Sequence, residues 1–306
     1  MKPHSRPCRK PCPGRVAALA LLAGAVHALE PSDLAPPGGF ANLDTHRLYF
    51  DCQGAGSPRV LFDYGIAGAA VEWQDIQRSL AADTTVCVYD RAGYGWSDPG
   101  PSPRTAARAA AEIAALAAAA GWREPLLLVG HSFGGFDVRY FAARHPEAVA
   151  GLVLLDSSLP GFELSSTPAA AVAGAAHPLA GPALAEEPGS DGFAIARYLN
   201  SRRKAVFTQM DELANFSHSG DEVSGAGALP DVPVIVLSRD PARGLPDPAG
   251  EARWQRGQRE LAAGLRRAEW WTAAGSGHEI HRDRPDLVVA AVRRVLAQLR
   301  AGPEGF

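Results

Sequence analysis

One ten-residue stretch constrains this chain more than any other: Leu126-Leu127-Leu128-Val129-Gly130-His131-Ser132-Phe133-Gly134-Gly135. Four apolar residues without alternation read as a strand buried on both faces. Glycines two before and two after Ser132 remove Cβ atoms that would collide in a sharp strand-to-helix turn. Three fixed positions recur by chance, and an ordinary Gly/Ser loop satisfies them too. The residues after the motif strengthen the turn reading. Phe136, Val138, Tyr140, Phe141 and Ala142 carry an apolar pattern suited to a buried helix, and Gly135 lets that helix approach the sheet. The helix is expected to stop near His145-Pro146, because the residue before a proline disfavours helical angles. Such a turn lifts the Ser132 hydroxyl above the sheet, beside the positive end of a helix, as a nucleophile elbow does.

The flanking sequence repeats one design. Arg59–Gly68, Thr84–Asp98, Gly151–Ser157 and Trp270–Ile280 each read as a short apolar strand running into a polar or glycine-rich turn. Helical stretches separate them, including the alanine-rich 106–120, where Ile113 and Leu116 sit three apart. Alternating strands and helices imply an α/β chain with a largely parallel sheet. Three blocks stand in order: Tyr89-Asp90-Arg91-x-Gly93-x-Gly95-x-Ser97, then Gly130-His131-Ser132-x-Gly134-Gly135, then Gly277-His278. From about Leu48 to about Leu299 the chain thereby resembles the α/β-hydrolase superfamily, and within it the serine esterase, lipase and haloperoxidase-like branch. The resemblance implies an α/β-hydrolase fold: a mostly parallel central sheet flanked by helices, with a helical cap inserted after the sixth strand. The sequence departs from the pattern at Tyr64-Gly65, where His-Gly is usual. The glycine is the geometrically demanding member of that turn, so the turn is expected to survive.

The ends and the middle define the layout. Lys2, Arg6, Arg9, Lys10 and Arg15 precede an apolar run from Val16 to Val26, followed by small residues around Ala28. This is the arrangement of a secretory signal peptide over 1–28, too short to favour a membrane span of about twenty residues. A basic tail without a targeting role is the competing reading. The expectation is a secreted or periplasmic protein with no stable membrane span after processing. The core domain is placed at 29–157 and 231–306. Between them, 158–230 is punctuated by prolines and reads as the cap, with Ile195, Leu199, Phe207, Met210 and Phe216 among an apolar lining. The net charge is −3 and no basic block lies in the folded region. Nucleic acid and acidic membrane surfaces are therefore not implied as partners. Removing the leader leaves Cys52 and Cys87. In the resembled fold their strands are neighbours, so a disulfide and two buried free thiols are both open.

A serine hydroxyl needs a base in hydrogen-bond reach, and the base needs a partner that fixes its tautomer. Ser132 is the expected nucleophile. His278 is the expected base: it follows a strand and a Gly275-Ser276-Gly277 turn, after the serine in chain order. The acid stays open between Asp156, which ends the strand Leu152–Leu155, and Asp240, which follows Val234–Leu237. Both lie at carboxyl ends of strands. Asp240 also suits an Asp-initiated turn before Pro241, and the balance leans to Asp156. Asp247 is a weaker third, and Asp90 is read as holding its own loop through Arg91. An oxyanion hole is expected from the backbone amides of Phe133 and Ile66.

No H-E-x-x-H, C-x-x-C or carboxylate cluster suggests a metal, and no dinucleotide or P-loop fingerprint suggests a cofactor. The expected activity is cleavage of a small-molecule carboxylic ester or related acyl bond through an acyl-enzyme. A cofactor-free haloperoxidase-like or carbon–carbon bond hydrolase would use the same triad. A non-catalytic ligand-binding member of the fold would have no need of all three side chains. Serine at the elbow argues against haloalkane dehalogenation, which uses a carboxylate there.

Overall fold

The structure is a computed structural model, and it describes residues 35–162 and 191–301. The expected leader, 1–28, and residues 163–190 of the expected cap lie outside the described residues.

Eight strands form one sheet: β1 (Gly39–Asn42), β2 (Arg47–Gln53), β3 (Val60–Asp63), β4 (Val86–Tyr89), β5 (Leu126–His131), β6 (Val149–Leu155), β7 (Val234–Arg239) and β8 (Ala268–Ala273). Their spatial order is β1-β2-β4-β3-β5-β6-β7-β8. The first two strands pair antiparallel, β2 pairs antiparallel with β4, and from β4 onward every pair is parallel. The continuous apolar runs of β3 to β7 follow from burial on both faces. Successive residues divide between two cores. Phe62, Val129, Val153 and Ile235 face one side; Leu61, Leu128, Leu152 and Val236 face the other. Burying each such side chain is worth about 1.5–3 kcal/mol.

Helices cover both faces. α1 (Gln74–Leu80) and the C-terminal helix supply Ile76, Leu80, Val288 and Val292 to the first core. α2 (Ala106–Ala119) and α3 (Gly134–Arg144) supply Ile113, Leu116, Val138 and Phe141 to the second. The alanine-rich stretch is helical as expected, capped by Thr105, whose hydroxyl accepts from the Arg108 amide at 3.4 Å. α3 ends at Arg144, one residue before His145-Pro146.

After β6 come α4 (Asp191–Asn200), α5 (Arg203–Ala214) and α6 (Phe216–Gly225), the helical insertion expected after the sixth strand. Their lining differs from the expectation. Ile195, Leu199 and Phe216 are buried, but Phe207 and Met210 are exposed. Orientation of α5 is set on its opposite face. Ala205, Thr208 and Glu212 point inward, and Glu212 accepts from buried Arg91 (3.0 Å) and from the Tyr94 hydroxyl (2.7 Å). With that face fixed, Phe207 and Met210 are turned out. The remaining helices are α7 (Pro248–Ala263), α8 (Ile280–Asp283) and α9 (Pro285–Ala301).

Cys52 and Cys87 stand directly opposite each other on β2 and β4, with Cα atoms 4.1 Å apart, and are joined as a disulfide.

Candidate active site

The elbow after β5 shows why its glycines are there. A Cβ on Gly134 would lie 2.6 Å from the Asp63 carbonyl oxygen, and one on Gly130 would lie 2.5 Å from Val138 and 2.7 Å from the Gly134 carbonyl. Ser132 takes φ +52°, a left-handed angle that a side chain adopts only at a cost of about 1–3 kcal/mol. The surroundings hold it there: its amide donates to the Leu155 carbonyl at 3.1 Å, and its carbonyl accepts from Ser158 at 2.9 Å. Among the described residues, the other non-glycine positions with positive φ are Ala67 (67°) and Asp156 (41°). All three follow the carboxyl ends of strands, β3, β5 and β6.

The loop after β8 brings His278 back over the sheet. Its Nε2 lies 2.9 Å from Ser132 Oγ, and its Nδ1 lies 2.6 Å from Asp156 Oδ2. Asp156 is fully buried and receives three further hydrogen bonds: Arg239 Nη1 donates to Oδ2 (2.9 Å), while the Arg239 amide (3.2 Å) and Trp254 Nε1 (2.7 Å) donate to Oδ1. Burial alone would raise this carboxyl, but the His278 hydrogen bond and the Arg239 charge hold it below the usual carboxylate range. Desolvation would likewise lower the imidazole, but Asp156 outweighs it and raises His278 above the ordinary histidine value. The ring keeps 37% of its side-chain surface open to solvent.

Asp240 is elsewhere. Its Oδ1 accepts from the Ala242 amide (2.9 Å) and its Oδ2 from the Gly275 amide (2.8 Å). It initiates the turn at Pro241 and ties the β7 and β8 loops together, without contacting His278. Asp247 caps α7, accepting from Ala249 and Gly250. The expected Asp90–Arg91 pairing is also replaced. Asp90 accepts from the Ala70 (2.8 Å) and Trp96 (2.9 Å) amides and from the Tyr64 hydroxyl (3.1 Å). Arg91 pairs with Asp63 (2.6 Å) and Glu212, and donates to the Tyr64 and Gly65 carbonyls. Tyr64, standing where the resembled pattern usually has histidine, thus anchors the loop after β3: its hydroxyl also accepts from the Arg91 amide at 3.0 Å.

The amides of Phe133 and Ile66 donate to no protein acceptor among the described residues. Gly65 lets the two segments meet, since a Cβ there would lie 3.0 Å from Ser132 Cβ. Sequence reading missed three supporting residues. Arg239 is gripped by Glu251 (2.6 Å) and lies over the Trp254 ring at 4.6 Å, so Glu251, Arg239 and Trp254 together position Asp156. An arginine ending an apolar strand was the available signal, because a buried guanidinium requires a carboxylate partner.

His131, Glu279 and His281 offer ligand atoms within 4.8 Å of one another, a group able to hold a cation that the sequence did not single out. Two of these rings already have contacts: His131 Nε2 meets the His278 carbonyl at 2.9 Å, and His281 Nε2 lies 3.5 Å from Glu72. Burial pushes the His131 imidazole down to about 3, so it is neutral at physiological pH.

Comparison with known proteins agrees with this architecture. The family described as alpha/beta hydrolase fold matches residues 58–204. A putative carbamate hydrolase, RutD of Azorhizobium caulinodans, is 35% identical over 109 residues, covering 36% of this chain and 40% of that protein. The uncharacterized protein YqjL of Bacillus subtilis is 24% identical over 241 residues, covering 78% and 84%. The chain thus spans well under two thirds of some curated relatives, and 18% of the first, a probable transporter of Hormonema carpetanum. Among solved structures, the epoxide hydrolase CorEH superposes with a TM-score of 0.67 at 19% identity, covering 86% of this chain and 99% of that one. The match over residues 58–204, the eight-stranded sheet and the order of the elbow, the Asp156 turn and the His278 loop lead to one assignment: the chain has the α/β-hydrolase fold.

Proposed function

We propose that this protein is a serine hydrolase that cleaves a carboxylic ester or a related acyl bond through an acyl-enzyme. The observation that carries this reading is the unbroken series Ser132 Oγ, His278, Asp156, at 2.9 and 2.6 Å. In it, His278 Nε2 takes the Ser132 proton as Oγ attacks the acyl carbon. Asp156 accepts from Nδ1–H and stabilises the imidazolium as it forms. The Phe133 and Ile66 amides receive the developing oxyanion. His278 then returns the proton to the leaving group, and water repeats the cycle on the acyl-serine. The similarity to a putative carbamate hydrolase is compatible with an acyl substrate. We assign the helical insertion α4 to α6 as a cap over this site.

The test is a chain-length series of p-nitrophenyl esters with wild-type protein and Ser132→Ala. The expected result is ester turnover that depends on acyl length and is lost in the variant with the fold intact. Turnover retained by Ser132→Ala overturns the nucleophile. A wild-type protein inert to every ester, but active on a carbon–carbon or halide substrate, moves the same triad to the haloperoxidase-like reading.

We also propose export. The Cys52–Cys87 disulfide supports an oxidising compartment. Expressed with its leader in a bacterial host, the protein is expected outside the cytoplasm with a new N-terminus at Leu29. Intact Met1 recovered from the cytosol alone contradicts this.

A further inference from the structure

Among the described residues four large apolar side chains are exposed: Phe40 at 36%, Tyr198 at 46%, Phe207 at 57% and Met210 at 61%. Three of the four fall between positions 198 and 210, on the outer side of α4 and α5. Arg197, Arg202 and Arg203 are exposed in the same stretch. From 192 to 210 the sequence holds four cations, counting Lys204, and no aspartate or glutamate. The net charge of −3 and the expectation of no basic block in the folded region concealed the run Arg202-Arg203-Lys204, which concentrates positive charge beside three of the four exposed large apolar side chains.

This face cannot turn inward. Glu212 fixes α5 through Arg91 and Tyr94 on its other side, and Asn200 Nδ2 fixes the end of α4 by donating to the Ala67 (2.6 Å) and Gly68 (3.1 Å) carbonyls. On α5, Arg203, Phe207 and Met210 are spaced i, i+4, i+7 and so share one stripe. The Arg203 guanidinium lies 5.3 Å over the Phe207 ring. Beside them is a hollow of about 340 Å³, walled by Arg203, Lys204 and Phe207. Asp211 also lines it, but its carboxylate is occupied by Ser102 and Asn215.

We propose that this face docks on an anionic lipid bilayer. Tyr198, Phe207 and Met210 enter the interface as apolar anchors, and Arg197, Arg202 and Arg203 meet headgroup phosphates. Both contributions act together at such surfaces: apolar burial supplies depth, and each cation adds attraction that salt screens. The charge selects this partner over a second copy of the chain, since a two-fold contact through the patch would set arginines against arginines. The patch is made of helices alone and offers no sheet edge for a peptide strand. The docking proposal does not depend on which bond is cleaved.

The test is co-sedimentation of the full chain with vesicles of phosphatidylcholine alone and of phosphatidylcholine mixed with phosphatidylglycerol, at low and high salt. One variant carries Tyr198→Ser, Phe207→Ser and Met210→Ser; a second carries Arg197→Gln, Arg202→Gln and Arg203→Gln. All six side chains are exposed, so circular dichroism should show both variants folded. The expected result is binding to the anionic vesicles at least about tenfold stronger than to the neutral ones, weakened by salt, and reduced about tenfold or more in each variant. Three outcomes overturn it. They are no binding to anionic vesicles, equal binding by wild type and variants (which places the contact elsewhere, including the leader), and vesicle-free self-association that the variants abolish.

Discussion

Replacing Asp156 by asparagine asks the most of the proposed site, and the structure says why no orientation of the amide can succeed. Each carboxylate oxygen of Asp156 faces two donors: Oδ2 faces His278 Nδ1 and Arg239 Nη1, and Oδ1 faces the Arg239 amide and Trp254 Nε1. Asparagine has one acceptor oxygen and one NH2 group. With NH2 in the Oδ1 position, two buried N–H groups lose their acceptor and face a donor, which costs about 1–3 kcal/mol each. With NH2 in the Oδ2 position, it meets Arg239 and drives His278 to the tautomer that carries its proton on Nε2. That ring cannot accept from Ser132. The imidazolium also loses its stabilising charge. In a serine-protease triad this change costs about four orders of magnitude in turnover, or about 5.4 kcal/mol. We expect the same scale here. Asp240→Asn, which keeps an acceptor for one of its two backbone amides, should stay within about tenfold, the effect of a turn or cap residue worth roughly a kilocalorie. Steady-state ester hydrolysis, with circular dichroism for folding, reads both. A folded Asp156→Asn protein within about tenfold of wild type, or an inactive and folded Asp240→Asn, refutes the reasoning.

The same geometry fixes two more expected outcomes. Because Asp156 raises the His278 pKa and only the neutral ring can take the Ser132 proton, kcat/KM should fall as pH drops through a value above about 6.5. In Asp156→Asn the residual activity should show this limb displaced to lower pH, and an unmoved limb contradicts the coupling. The Cys52–Cys87 bond closes a sequence separation of 35 residues, for which loop-closure entropy gives about 4 kcal/mol. The double variant Cys52→Ala, Cys87→Ala should therefore lose up to that amount in urea unfolding, and labelling of either cysteine in unreduced, denatured wild type would remove the premise.

Much of the fold was legible because its determinants are local. The elbow glycines, the apolar runs of β5 and β6 and the proline that ends α3 each act within a few residues of where they stand. His278 was legible for the same reason, from the glycine turn before it. Which carboxylate meets His278 was not decided by sequence, because Asp156 and Asp240 both end strands, and the donors that distinguish them come from β7 and α7. Arg239 and Trp254 lie 83 and 98 residues from Asp156 in sequence. The outward turn of Phe207 and Met210 was hidden in the same way: the Arg91–Glu212 contact that fixes α5 spans 121 residues. Neighbouring strands for Cys52 and Cys87 were expected, but their direct opposition depends on a register that only pairing reveals.

The central claim is that Ser132 is an activated nucleophile, and covalent capture tests it most directly. Wild-type protein treated with a fluorophosphonate and digested should show one equivalent of adduct on the peptide containing Ser132, with none in Ser132→Ala and strongly slowed labelling in Asp156→Asn. A wild-type protein left unlabelled, or labelled equally in the presence and absence of Ser132, would contradict it.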